Sequence, residues 1–138
     1  MIPLRRLTKT VSVGSIKIGG TEPIRIQSML TCDTTDVNAC IEQITRLDAV
    51  DCEIIRLTVP NQKSVDSVPL IREEMRKMGI ERPIVADVHF NPKLAVNVCE
   101  FVDKVRINPG IMQTGKNLKS VSTQTLSTRK NWSELSRN

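Results

Sequence analysis

Tyrosine is missing from this chain of 138 residues, and two Phe and one Trp are its whole aromatic content. Any core must therefore be aliphatic, which suits the Val-, Ile- and Leu-filled layers of α/β proteins. Exposed aromatics for stacking on bases are correspondingly scarce. The four cysteines, Cys32, Cys40, Cys52 and Cys99, form no CxxC or other metal-ligand spacing. Cys40 and Cys99 fall on apolar helical stripes and read as small buried thiols. No apolar run approaches ~20 residues, and no signal peptide precedes the first strand. The expectation is a cytoplasmic protein with reduced thiols and no membrane partner.

Clustered positive charge is also lacking where a fold is expected. The net charge is +5, but residues 111–138 hold five Lys or Arg against one Glu, and residues 1–110 hold fifteen basic against fourteen acidic residues. Basic residues dispersed among carboxylates are not the footprint of a nucleic-acid binder. The length allows one domain and not two.

What is present is a repeating alternation. Residues 10–19 read as two short strands around Gly14-Ser15, a type II′ hairpin turn. Strands are expected at Pro23–Met29, Glu53–Val59, Pro83–Val88 and Lys104–Asn108. Between them, Val37, Cys40, Ile41, Ile44 and Leu47 form one helical stripe capped by Asp36. Val68, Ile71, Met75 and Met78 form a second stripe, on a helix from about Lys63 to Met78. Pro69 is expected to kink or restart that helix near its beginning, and Gly79 stops it. Leu94, Val98, Phe101 and Val102 form a third stripe after Asn91 and Pro92. This order predicts a parallel α/β sheet preceded by a β-hairpin. Four strands are the amino-terminal half of a TIM-type (β/α)8 barrel, a fold of about 250 residues when closed. A small open doubly wound sheet is the alternative, but its usual Gly-rich phosphate loop after the first strand is replaced here by QSMLTCDTTD.

Three of these strands carry polar residues two apart: Arg56 and Thr58, Asp87 and His89, Arg106 and Asn108. Residues two apart share a strand face, while Ile55, Leu57, Ala86, Val88, Val105 and Ile107 must face a covering layer. Each pair lies at its strand's carboxyl end, where parallel barrels build their sites. Two guanidinium groups, a carboxylate and an imidazole suggest an anionic ligand. A structural ion pair of Arg56 and Arg106 with Asp87 is the plainer alternative, since buried arginine needs a partner. Asp87 then orients its neighbours, and His89, the only histidine, is given no acid–base role.

The segments VGSIKIGG, PIRIQSM, the TTD of residues 34–36, EIIRLTVP, VADVHF and VRINPG, in this order, resemble the 4-hydroxy-3-methylbut-2-enyl diphosphate synthase family. That resemblance implies a TIM barrel and reductive opening of 2-C-methyl-D-erythritol 2,4-cyclodiphosphate in isoprenoid biosynthesis by the methylerythritol phosphate route. It implies a 4Fe–4S cluster held by a separate carboxyl-terminal domain through three Cys and a Glu, ligands absent from this chain. It further implies flavodoxin or ferredoxin as electron donor, and a homodimer at full length. Carried over by position, Arg56 and Arg106 clamp the diphosphate and Asn108 adds a polar contact. Asp87 and His89 line the pocket, and Gln27 and Ser28 stand at the end of the first strand.

Two departures from the family pattern stand out. Asp51 occupies a place before the second strand where the family has Gly, at the expected left-handed end of a helix. After Gly110 the family continues with Asn, an aromatic, a small residue and Asp, whereas this chain has Ile111, Met112, Gln113 and Thr114. Codons AAT-TAT-GCA-GAC with one A removed read ATT-ATG-CAG-AC, which opens Ile-Met-Gln-Thr, so a one-base frameshift is one explanation. Residues 1–110 are therefore expected to form a partial barrel and 111–138 an irregular or disordered tail, with nine Ser or Thr in 28 positions. Such a fragment is expected to lack turnover by itself. Another phosphate-binding barrel enzyme, of the pterin-synthase type, and a noncatalytic dimerising half-barrel are the competing readings.

Overall fold

The computed structural model describes residues 6–108; the expected tail at 111–138 lies outside them. Val11–Val13 (β1) and Ile16–Ile18 (β2) pair antiparallel, Val13 opposite Ile16. Gly14 has φ +55° and Ser15 is not left-handed, which is the type II′ rather than the type I′ signature. There follow Gln27–Met29 (β3), Val37–Ala49 (α1), Ile54–Thr58 (β4), Gln62–Lys77 (α2), Ile84–Val88 (β5), Pro92–Val98 (α3) and Lys104–Ile107 (β6). The last four strands form one sheet, β3-β4-β5-β6, parallel throughout.

Strand alternation divides the sheet's two faces. Ile55, Leu57, Ile84, Ala86 and Val88 join Cys40, Ile44, Val65, Val68, Ile71, Met75, Leu94 and Val98 in the main core. All three helices therefore lie on one face. On the other, Ile54 and Val85 pack with Val13, flanked by Ile16 and Ile18 of the hairpin. A doubly wound sheet would have helices on both faces; a hairpin closing the amino end of a one-sided sheet is barrel architecture.

Each helix has a capping residue at its amino end. Asp36 accepts from Ala39 N at 3.0 Å, Asn61 from Ser64 N at 3.0 Å and Asn91 from Lys93 N at 3.0 Å. Helices α1 and α2 end in the same motif. Cys52 N donates to Leu47 O and Asp51 N to Asp48 O, each at 3.0 Å. At the end of α2, Ile80 N donates to Met75 O and Gly79 N to Arg76 O. This paired pattern needs a left-handed residue, and Asp51 (φ 56°) and Gly79 (φ 71°) supply it.

Four sequence expectations are corrected. The first strand is three residues long and does not begin at Pro23. Proline lacks a donor, and the Ile26 N–H is taken by the Glu53 carboxylate at 2.8 Å rather than by a strand neighbour. Pro69 interrupts nothing, as α2 runs through it. Met78 caps α2 and is exposed; the chain reverses at Gly79 and Ile80 enters the core instead. Helix α3 ends at Val98, so Phe101 and Val102 pack on the core from the turn that follows.

Candidate functional site

Parallel registry places Asp87 between Thr58 on β4 and Arg106 on β6. Two residues toward the amino end, on the same face, Arg56 lies between Met29 and Val85. The polar pairs of three strands thus occupy one patch of the hairpin-side face, toward the strands' carboxyl ends. Asp87 is its centre and is 1% exposed. Its Oδ1 accepts from Arg106 Nη1 at 2.9 Å and lies 3.3 Å from His89 Nε2, while Oδ2 accepts from Arg56 Nη2. Burial by itself would raise the Asp87 pKa. The hydrogen bonds from Arg56 and Arg106, with the charges of Arg56 and His89, outweigh it and hold the carboxyl below its usual range.

The charge balance here differs from that at the described chain's other buried or half-buried arginines. Arg25 meets both Glu22 and Glu53, Arg82 meets Asp48 and Asp51, and Arg72 meets Asp103. Those guanidiniums have one carboxylate each or two. At the Asp87 patch two guanidiniums share one carboxylate, and Arg56 keeps a buried Nε with no partner. The patch therefore carries surplus positive charge and unspent donors, held by strands rather than by a loop. Planar guanidiniums in such a state suit phosphate oxygens.

Arg56, Asp87, His89 and Arg106 are thus brought together. Asn108 follows β6 two residues beyond Arg106 and is half-buried. Gln27 and Ser28 do not join the group. Gln27 opens β3 beside Ile54, a layer below Arg56, and Ser28 shares the helix-side face with Ile55. Sequence reasoning assigned no role to Thr34, whose buried hydroxyl donates to Thr58 O at 2.7 Å and ties the β3–α1 loop to the rim. The TTD string at 34–36 contained it, but nothing in that string separates it from Thr35.

The cysteines do not fit an iron–sulfur cluster. Cys52 is buried and donates to Ile54 O, Cys99 donates to Ala95 O, and only Cys32 and Cys40 adjoin each other. Among the described residues, no three His, Cys, Asp or Glu side chains are grouped to hold a metal ion. No helix among them is long and apolar enough to cross a membrane.

The chain matches the model of the GcpE TIM-barrel domain over residues 8–131. It is 52% identical over 106 residues to a 4-hydroxy-3-methylbut-2-en-1-yl diphosphate synthase (flavodoxin) of Leptospira interrogans, covering 77% of this chain and 16% of that protein. A ferredoxin-named synthase of Prochlorococcus marinus is 51% identical over 108 residues, 78% of this chain and 27% of its own length. A flavodoxin-named synthase of Caldanaerobacter subterraneus is 43% identical over 122 residues, 88% of this chain and 33% of its own length. The chain therefore spans between 16% and 33% of these curated relatives.

Proposed function

Since the chain belongs to the GcpE TIM-barrel domain family, we propose that it is the substrate-holding part of a methylerythritol phosphate pathway synthase. The reaction opens 2-C-methyl-D-erythritol 2,4-cyclodiphosphate to 4-hydroxy-3-methylbut-2-enyl diphosphate, with two electrons entering and water leaving. The observation that carries this reading is the surplus of guanidinium over carboxylate at the Asp87 patch.

In this reading Arg56 and Arg106 bind phosphate oxygens in pairs of charge-assisted hydrogen bonds. Asp87 holds both arginines in place before the ligand arrives, so little side-chain freedom is lost on binding. Asn108 donates to the same ligand, and His89 packs at its edge. Electrons come from a 4Fe–4S cluster and its flavodoxin or ferredoxin donor in the whole enzyme, a homodimer. The described cysteines do not fit that cluster. The isolated chain binds the cyclodiphosphate without turning it over.

Calorimetric titration of the chain with the cyclodiphosphate tests this. Saturable binding that Arg106→Ala abolishes, with no product formed under a strong reductant, is the expected result. Absence of binding, or selective binding of a pterin, would overturn it.

A further inference from the structure

Cys32 and Cys40 stand apart from the other two thiols. Their Sγ atoms are 3.4 Å apart, across the loop that joins β3 to α1. Cys40, in the first turns of α1, is fully buried, and its Sγ also lies 3.6 Å from Asp33 O. Cys32 is half-exposed at the sheet's carboxyl-end rim. Thr34, two residues on, anchors the same loop to Thr58. No part of the phosphate-holding patch uses either thiol.

We propose that Cys32 and Cys40 are a reversible oxidation site, in which Cys32 meets a hydroperoxide and Cys40 closes a disulfide onto it. The geometry divides the roles. An oxidant in solution reaches Cys32 and not Cys40. Burial, then the hydrogen bond and charge of Cys32 and the charges of Asp36 and Asp33, push the Cys40 thiol up to about 12. Cys40 therefore remains a protonated thiol until Cys32 has reacted. In the first step the Cys32 sulfur attacks the peroxide O–O bond, giving a sulfenic acid and an alcohol (water, for hydrogen peroxide). In the second, Cys40 sulfur attacks the Cys32 sulfur, the S–O bond breaks, and the hydroxyl leaves as water with the Cys40 proton. One peroxide is reduced for two thiols oxidised. A bonded pair needs a separation near 2.05 Å, so the sulfurs must approach further, by side-chain movement within a loop already folded back on α1.

Trypsin cleaves after Arg25 and Arg46, so a single peptide, 26–46, carries both thiols. The reduced full chain is treated with one equivalent of hydrogen peroxide, denatured, alkylated and digested. The expected product is peptide 26–46 lighter by two hydrogens and carrying no alkyl group, restored by a reductant, while Cys52 and Cys99 are alkylated. In Cys40→Ser, a dione that traps sulfenic acids should label Cys32 at least tenfold more than in the unsubstituted chain. Peptide 26–46 recovered with two alkyl groups, or with Cys32 oxidised past sulfenic acid and no disulfide, overturns the proposal. The unsubstituted chain decides this without the variant.

Discussion

Asp87 stands directly beside Arg106 across the β5–β6 pair, and its Oδ1 accepts a hydrogen bond from Arg106 Nη1 at 2.9 Å. With Arg56 on its other oxygen, this carboxylate is what permits two guanidiniums to sit on the strands flanking β5. Its removal should be costly. Asp87→Asn keeps the volume but leaves two like charges facing each other, with only neutral acceptors. A loss of about 1.5–3 kcal/mol is expected, as for hydrogen bonds to charged groups. Urea denaturation of the variant measures it, and an unchanged midpoint would show the carboxylate to be structurally idle.

Acid should act through the same group. The folded pKa of Asp87 lies below that of the unfolded chain, about 3.9 for an ordinary aspartate. Its contribution is then complete above about pH 4 and declines as pH falls through the folded value. Asp33, held down by Thr35, and Glu53, held down chiefly by the Ile26 N–H and Arg25, act in the same direction. Urea midpoints should fall below about pH 4, and the slope in Asp87→Asn should be shallower. Identical slopes would mean that Asp87 titrates alike in both states.

Asp51 and Gly79 do the same work with different side chains. Left-handed backbone costs a non-glycine residue about 1–2 kcal/mol, while Asp51 gains only an exposed contact to Arg82 at 3.2 Å. Asp51→Gly is expected to stabilise by about 0.5 kcal/mol once the freer unfolded chain is allowed for. Gly79→Ala should destabilise by about 1 kcal/mol. A Cβ there meets nothing within 4 Å, so the cost is conformational alone. Thermal melts of both variants check the pair, and opposite signs are the expected result.

Much of this was readable in the amino-acid order. The period-two spacing of Arg56/Thr58 and Asp87/His89 worked because β4 and β5 are regular strands covered on both faces at their amino ends. Asp36 and Asn91 announced their helices because a short polar side chain before an apolar stripe has few other uses. Asp51 marked a left-handed position for the reason that makes glycine common there. Other features depended on distant partners. The shortness of β3 follows from the Glu53 carboxylate capturing Ile26 N–H, and nothing near residue 26 signals this. Met78 fits the α2 stripe, yet the turn at Gly79 swaps it for Ile80. The pairing of Arg56 and Arg106 with Asp87 was legible as the plainer alternative, whereas the unpartnered Arg56 Nε required the packed strands.

The surplus of guanidinium at the Asp87 patch is tested most directly by following arginine side-chain nitrogen resonances while inorganic pyrophosphate is added. Arg56 and Arg106 should shift together and saturate, with Arg25, Arg72 and Arg82 unmoved, and Arg56→Ala should weaken binding by at least tenfold. Shifts confined to Arg25, Arg72 or Arg82, or binding indifferent to Arg56→Ala, would contradict the account.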